Sequence, residues 1–342
     1  MREAACRFAR IVGVGGIGVG SVYRLEGDAT LGREESRPAR LLDIVDRCKL
    51  HIILHYVAII LRDLRQPVRV SPLGMVGADA EGRLLLREMR RAGMDTRLVR
   101  PVAGERTQTS ICLQYPDGSG GNITEAAGAA ARLGVRSLDA IAGRLSPRTL
   151  VLVAPEVPLA VRLALIARAH RCGAFVAASF ASQEFADRRV GRALARIDLL
   201  ALNLHEACSL AGVAERIPAE RVVRLALARL LAANQQARLS VTDGGRGSYF
   251  ATSAGIHHLP GLRVAVANTA GAGDAYFAGL LLAEQLAGPQ GADPAAACAL
   301  ARAIAAFSVT ARDTVHQGFS LAALRTFARR HRLSCILATL RR

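Results

Sequence analysis

Stretches of alternating and of helically spaced apolar residues follow one another along the chain and predict strands and helices in turn. Residues 10–20 begin as a short buried strand, and residues 41–64 carry apolar positions at helical spacing. Residues 68–77 are typical of a strand, and residues 81–93 show an amphipathic helical pattern that ends at Gly93. The first part of the chain therefore predicts mixed α and β structure.

The second half of the chain alternates more regularly. Strands are predicted at 149–155, 174–179, 198–203, 238–245, 247–253 and 262–269, and helices at 160–173, 192–197, 271–287 and 294–309. Helices between strands imply right-handed crossovers and an α/β fold with a mainly parallel central sheet flanked by helices. Ligands bind such sheets at the carboxyl ends of the strands.

Two segments, near 19–40 and 97–125, do not fit this alternation. Residues 109–126 alternate in polarity and turn at Asp117-Gly118, which indicates a hairpin. We interpret the two segments as a small β lid. The lid belongs to a single α/β domain of 342 residues, a length at which an appended subdomain is expected.

Composition excludes several classes of protein. The formal net charge of +17 is spread over nearly every predicted helix, so it does not form the basic stripe of a nucleic-acid-binding protein. Lys49 is the only lysine and follows no glycine-rich loop, which excludes a P-loop. The seven cysteines show no C-x-x-C spacing, which argues against zinc and disulfides.

The apolar runs are also informative. None approaches the roughly 20 residues of a membrane span, and charged residues interrupt the first apolar positions, so no signal peptide is expected. We therefore expect a cytoplasmic protein with no membrane and no nucleic-acid partner.

Two glycine clusters are candidate ligand-binding turns. In the first, Gly13, Gly15 and Gly18 match the dinucleotide-binding fingerprint, which would make the protein a nicotinamide-dependent oxidoreductase. That interpretation requires a helix to begin at the last glycine, whereas polar and turn residues follow it. The sequence context therefore does not support this match.

The second cluster, residues 269–274, lies between a β-branched predicted strand and a predicted helix. Small residues let the backbone approach a ligand, and the first N–H groups of a helix bind anions such as phosphate. Asp274 is either a carboxylate that satisfies the helix dipole or a general base for a hydroxyl that attacks a phosphoryl group. The residues alone leave these two alternatives open.

The segment NTAGAGD, residues 268–274, resembles the C-terminal signature of the ribokinase-like (PfkB) carbohydrate kinases. The resemblance implies a ribokinase-like fold with Asp274 as the catalytic base. It also implies that Gly271, Ala272 and Gly273 form the anion hole.

Other segments resemble the family in the expected order. Asn203-x-x-Glu206 is similar to the N-x-x-E motif, whose glutamate organises Mg²⁺ near the phosphates, and residues 241–247 are similar to the T-x-G-x-x-G segment beside the nucleotide. The resemblance therefore implies ATP and Mg²⁺ as cofactors. The residues that it places beside the nucleotide or the metal are Asn203, Thr242, Gly244, Gly247, Thr269 and, for the metal, Glu206.

The sequence departs from the family pattern where the acceptor is held. His51 and Ile52 stand at the expected glycine pair, Tyr56 at the expected asparagine, and Gly18 at an acceptor-binding aspartate. We expect a remodelled acceptor pocket, for which His51, Tyr56 and the loop residue Asp28 are the candidate contacts.

Asn268 stands where the family signature begins with an aspartate that helps some members to bind a monovalent cation, so such activation is in doubt. The resemblance predicts an ATP-dependent phosphotransferase that phosphorylates a hydroxyl of a sugar or sugar-like molecule. A homodimer through the lid is a further expectation. The alternative is a kinase-like regulatory module that binds nucleotide without sugar kinase activity, which the altered acceptor residues motivate.

Overall fold

The computed structural model describes residues 6–27, 30–116, 120–214, 216–288 and 291–340. The strands in these ranges are β1 (Arg10–Val14), β2 (Gly18–Leu25), β3 (Ala39–Arg47), β4 (Arg69–Gly77), β5 (Val99–Val102), β6 (Gln108–Gln114), β7 (Gly120–Thr124), β8 (Thr149–Val153), β9 (Phe175–Ala178), β10 (Leu199–Asn203), β11 (Arg238–Thr242), β12 (Ser248–Thr252) and β13 (Gly255–Leu259).

The helices in the same ranges are α1 (Lys49–Asp63), α2 (Ala80–Ala92), α3 (Leu159–Arg171), α4 (Arg188–Ala193), α5 (Leu204–Ala211), α6 (Ala219–Ala233), α7 (Ala272–Leu286), α8 (Pro294–Ser308), α9 (Leu321–Arg330) and α10 (Ser334–Thr339). Among these described helices, none is long and apolar enough to cross a bilayer.

Within the described ranges, nine strands form one large sheet in the order β13, β12, β11, β10, β9, β8, β1, β4 and β5. The strands from β11 to β5 run parallel, and β12 and β13 add antiparallel at one edge. Two apolar clusters form the core around this sheet, and β8 is buried along its whole length. The predicted α/β fold with a mainly parallel sheet is confirmed.

A second sheet, in the order β3, β2, β6 and β7, forms the lid. Ile111 and Ile123 lie directly opposite each other on β6 and β7, and both are exposed, as is Leu41 on β3. Val22 on β2 is fully buried. Exposed apolar residues on the lid agree with the expected homodimer, which stays a prediction that sedimentation analysis would test.

The lid differs in extent from the sequence prediction. Residues 41–47 belong to β3 instead of the start of a helix, because they pair with β2 and alternate in exposure, and α1 begins only at Lys49. Residues 99–102 join the large sheet as β5 and do not belong to the lid. The predicted hairpin of β6 and β7 is confirmed, although its turn, Asp117-Gly118, lies outside the described residues.

The strand predicted at 262–269 is wrong. These residues form no strand, and their backbone is held by N–H donation from Ala267 and Asn268 to the carbonyl oxygen of Val309. The apolar side chains of Leu262 and Val264 line a cavity. The apolar pattern of this segment therefore belongs to residues that line a cavity and not to a strand.

The dinucleotide interpretation of Gly13, Gly15 and Gly18 is also wrong, because Gly18 begins strand β2 and not a helix. A Cβ atom at Gly18 would lie 2.4 Å from the carbonyl oxygen of Gln108 and 2.9 Å from the Sγ of Cys48. Close packing of the lid against the start of α1 therefore leaves no room for a side chain at this position.

Helix α1 carries two buried histidines. Both ring nitrogens of His55, and Nδ1 of His51, have no hydrogen-bond partner among the described residues. Burial, with smaller contributions from Arg62 and Arg47, lowers the pKa of His55 to about 4. The helix therefore contains a base that stays neutral at a pH where an exposed histidine is charged.

We predict that His55 makes the fold sensitive to acid. Between pH about 6.5, the ordinary pKa, and pH 4, the unfolded chain binds a proton at this residue and the folded chain does not, so the free energy of unfolding falls as pH falls, by about 3 kcal/mol. Denaturant unfolding measures this free energy at pH 7 and at pH 4. Between these two values, the free energy of unfolding of His55→Leu should fall by about 3 kcal/mol less than that of the parent. The exposed control His258→Gln should behave like the parent; an unchanged loss in His55→Leu would contradict the prediction.

Candidate active site

The turn before α7 presents backbone N–H groups at the carboxyl end of the large sheet. Gly271 adopts φ 78°, a left-handed conformation that favours glycine, and its carbonyl oxygen accepts from Ala275 at 2.9 Å. The N–H of Ala272 donates to the Thr269 carbonyl at 3.2 Å. No described residue accepts a hydrogen bond from the N–H of Gly271 or Gly273, so these two donors are available to an anion.

Asn268 holds this turn in place. Its Oδ1 accepts from the N–H of Ala270 and from Nε2 of Gln114, both at 3.0 Å, and its Nδ2 donates to the carbonyl oxygen of Arg312 at 2.7 Å. An aspartate could not make the last of these bonds, because a carboxylate has no donor. The side chain therefore ties the turn to the lid and to the segment after α8.

Asn203 and Glu206 form a capping box at the start of α5. The N–H of Glu206 donates to Oδ1 of Asn203, and the N–H of Asn203 donates to Oε2 of Glu206, both at 2.8 Å. Asn203 lies opposite Thr242 in the parallel pairing of β10 with β11. The capping box uses Oε2 of Glu206 and not Oε1. Because β10 ends at Asn203, Oε1 lies at the carboxyl end of the sheet.

One cavity of about 600 Å³ brings most of the predicted site residues together. The residues in its lining that the sequence singled out are Asn203, Glu206, Thr242, Gly244, Gly247, Thr269, Ala272, Gly273 and Asp274. The apolar side chains of Leu262, Val264 and Ala306 line another part of it. The cavity therefore joins polar groups at the helix N-terminus to an apolar slot.

Lys49, the chain's only lysine, lies in this cavity at the first position of α1. Its Nζ is 3.8 Å from Oδ1 of Asp274 and 3.9 Å from Oε1 of Glu206, and the side chain is 25% exposed. Burial alone would lower the pKa of Lys49, but Glu206, Asp274 and Glu156 together raise it above its ordinary value. Lys49 therefore stays charged between the two carboxylates.

Asp274 is a mostly buried carboxylate, with 16% of its side chain exposed. Burial raises the pKa of Asp274 to about 7; Lys49 opposes this rise, while Glu156, Glu206 and Asp46 add to it. A carboxylate with a pKa near the working pH has the basicity that a general base needs.

The sequence reasoning missed Glu156 and Asp46, and it gave Lys49 no role in the site. Glu156 follows β8 with a left-handed backbone, φ 75°, which costs a residue other than glycine about 1–3 kcal/mol and occurs often at functional sites. Its Oε2 accepts from the N–H of Lys49 at 3.0 Å. Asp46 comes from the lid strand β3 and is buried, and burial raises the pKa of both carboxyl groups.

The predicted acceptor residues lie elsewhere. Tyr56 is fully buried in the apolar core, where its hydroxyl accepts from the N–H of His316 at 3.0 Å and its ring packs on Phe319. His51 is 1% exposed, and neither residue lines the cavity. Asp28 lies outside the described residues.

Solved structures share this architecture. Ribokinase from Cryptococcus neoformans var. grubii serotype A, in complex with ADP, is 19% identical, with 93% of this chain and 99% of that one covered and a TM-score of 0.73. Arabidopsis thaliana ribokinase, complexed with ribose and ATP, is 18% identical, with 94% and 98% covered and a TM-score of 0.70. Burkholderia thailandensis nucleoside kinase, in complex with inosine, is 18% identical, with 94% and 96% covered and a TM-score of 0.70.

A mainly parallel sheet, a small β lid and these structural likenesses define the ribokinase-like fold. The profile of the pfkB family of carbohydrate kinases matches residues 57–317, which is most of the chain. The chain therefore belongs to the pfkB carbohydrate kinase family. A search of curated protein sequences gives no significant match.

We predict that Asp274→Asn stabilises the protein in alkaline solution. An unfolded aspartate ionises near pH 3.9 and the folded one near pH 7, so the free energy of unfolding falls as pH rises through this window, by on the order of 2–4 kcal/mol. Asparagine cannot ionise. Denaturant unfolding should therefore show the variant to be more stable than the parent at pH 8 and equally stable at pH 4.

The control is Asp139→Asn, at an exposed residue that pairs with Arg168, and its stability should change little. Equal stability of Asp274→Asn and parent at pH 8 would contradict the burial argument.

Proposed function

We propose that the protein transfers the γ-phosphoryl group of ATP to a hydroxyl group of a neutral sugar or nucleoside. The observation that supports this most is the position of Asp274, a mostly buried carboxylate in the turn where the N–H groups of Gly271 and Gly273 have no acceptor among the described residues. A base beside an anion site is the arrangement that phosphoryl transfer to a hydroxyl requires.

The cavity has the two parts that a nucleotide needs. The slot that Leu262, Val264 and Ala306 line suits a flat apolar base. The N–H group of Gly273, which lines the cavity, and that of Gly271, in the turn just before it, suit phosphate oxygens. The similarity to folds solved with ADP and with ATP supports the same ligand class. Thr242, Gly244 and Gly247 would then lie along the nucleotide.

The reaction follows from this geometry. A carboxylate oxygen of Asp274 takes the proton of the acceptor hydroxyl, whose oxygen forms a bond to the γ-phosphorus while the bond from that phosphorus to the β–γ bridging oxygen breaks. Charge on the transferred group is spread over its equatorial oxygens. The N–H groups of Gly271 and Gly273 donate to those oxygens, and Ala272 can join them if its bond to Thr269 opens.

Lys49 adds a positive charge at the same place. Its ammonium group lies between Asp274 and Glu206, so a phosphoryl group that arrives there meets a cation as well as amide donors. Lysine is a compact point charge on a flexible stem and can turn from a carboxylate to a phosphate oxygen. In the proposed reaction Lys49 neutralises charge on the transferred group.

The donor set fits a magnesium ion that enters with the nucleotide. Glu206 has one carboxylate oxygen outside its capping box, and Mg²⁺ is commonly held by one or two carboxylates together with waters and substrate phosphates. No cluster of three His, Cys, Asp or Glu side chains that could bind a metal occurs among the residues that the structure describes. Bound Mg²⁺ would neutralise charge on the phosphates.

The acceptor side carries negative charge. Glu156 accepts from the N–H of Lys49, and Glu156 and Asp46 both add to the rise in the pKa of Asp274. Carboxylates accept hydrogen bonds from hydroxyl groups and repel anions, which favours a neutral polyhydroxyl acceptor over a phosphorylated one. Structural relatives solved with ribose and with inosine support this class.

Asn268 bears on activation by monovalent cations. Its Nδ2 donates to the carbonyl oxygen of Arg312, and the residue adds no negative charge to the turn. We therefore propose that phosphoryl transfer proceeds without such a cation.

The proposal predicts ATP-dependent phosphorylation of at least one neutral sugar or nucleoside. A panel of sugars, nucleosides and sugar phosphates should be assayed by ADP release and by mass spectrometry of the product. Asp274→Asn should lower turnover at least a thousandfold and should not weaken ATP binding in calorimetry, because the base is lost while Lys49 and the N–H groups of Gly271 and Gly273 remain. Full turnover in that variant would refute the base assignment. Nucleotide binding with no transfer to any acceptor would favour the regulatory module.

A further inference from the structure

A second cavity lies away from the proposed catalytic cavity and shares no lining residue with it. It has a volume of about 300 Å³ and lies between β4 and the 3₁₀ segment Val135–Arg144. Leu73 and Met75 of β4 line it, and Ser137 adds a hydroxyl group. Arg97, Arg100 and Arg144 also line it, and we call it the arginine cavity.

Positive charge at this cavity is poorly compensated. Arg97 and Arg69 share one carboxylate, Asp95, at 2.7 and 3.7 Å. The guanidinium groups of Arg100 and Arg144 form no ion pair or hydrogen bond with any residue that the structure describes. Two guanidinium groups therefore face a cavity without a counter-charge.

Arg10, at the start of β1, does not line the cavity but lies opposite Arg69 in the pairing of β1 with β4. Burial lowers the pKa of Arg10, and Arg69 and Arg144 lower it further through like-charge repulsion. Its Nη1 is buried without an acceptor among the described residues. A buried charged donor without an acceptor is destabilising, and Asp95 is the carboxylate that Arg69 and Arg97 already share.

The abundance of arginine in the chain does not by itself produce this arrangement. Other arginines that leave the solvent are paired, as Arg162 is with Glu184 and Arg47 with Glu88. Most of the rest lie exposed, as Arg97, Arg100 and Arg144 do, but these three differ in lining one cavity together. Convergence of arginines on a cavity with a single carboxylate is instead typical of a site that receives an anion.

We propose that the arginine cavity binds a phosphate group, either as free phosphate or as part of a small phosphorylated metabolite. Planar guanidinium groups bind phosphate oxygens in pairs of parallel hydrogen bonds, and the hydroxyl of Ser137 can donate another. Leu73 and Met75 offer apolar contact to the remainder of a metabolite. A volume of about 300 Å³ suits a small molecule and is at the lower end of ligand pockets.

The test compares phosphate binding in three proteins by calorimetry at constant ionic strength. The site variant carries Arg100→Gln and Arg144→Gln; the control carries Arg87→Gln and Arg171→Gln, two exposed arginines, so both lose the same charge. Inorganic phosphate and glycerol 3-phosphate are the probes, with glycerol as the unphosphorylated comparison. Parent and control should bind at least one phosphate probe, and the site variant should bind it at least tenfold more weakly.

Binding of inorganic phosphate alone would identify free phosphate as the occupant, and tighter binding of glycerol 3-phosphate would identify a metabolite. Equal phosphate affinity in all three proteins, or none in the parent, would overturn the proposal.

A second measurement separates this proposal from the proposed kinase function. Binding of a non-hydrolysable ATP analogue should be the same in all three proteins. Its absence in all three would count against the proposed kinase function and leave this result intact.

Discussion

One ammonium group surrounded by buried carboxylates is the interaction on which the site depends. Lys49 contacts Asp274 and Glu206 through its side chain and Glu156 through its backbone N–H. Asp46 of the lid adds a fourth carboxylate that influences Asp274. These groups come from α1, α5, α7, β3 and the segment after β8, so only the complete fold with its lid assembles them. Burial raises the pKa of Asp274, Asp46 and Glu156, so these carboxyl groups hold protons more readily than exposed ones.

The parts of the site that could be predicted from sequence are local. The turn before Asp274 and the capping box of Asn203 and Glu206 are each encoded within four to seven consecutive residues, because a helix N-terminus is specified by its own first turn. The order of strands and helices was likewise readable from the apolar period. Residues 41–47 were misread because the helical pattern of α1 follows directly, and residues 262–269 because β-branched residues can also line a cavity.

The parts that could not be predicted depend on long-range packing. Glu156 reaches the site through a left-handed backbone, and Asp46 through a lid strand whose apolar spacing predicts a helix. Two signals were nevertheless present: Lys49 is the only lysine in an arginine-rich chain, and Glu156 follows a predicted strand at the edge of the sheet where ligands bind. Gly18, an apparent loss of function in the sequence, has a steric cause in the contact of the lid with Gln108 and Cys48.

The most direct test of the charge arrangement uses the fact that the chain contains one lysine. Protein labelled with ¹³C at lysine Cε should give a single lysine side-chain resonance, which Lys49→Arg removes. The account predicts that a non-hydrolysable ATP analogue with Mg²⁺ shifts this resonance, because the terminal phosphate draws the ammonium group from Asp274, and that AMP does not. A resonance that stays unchanged while calorimetry shows the analogue to be bound would contradict the account.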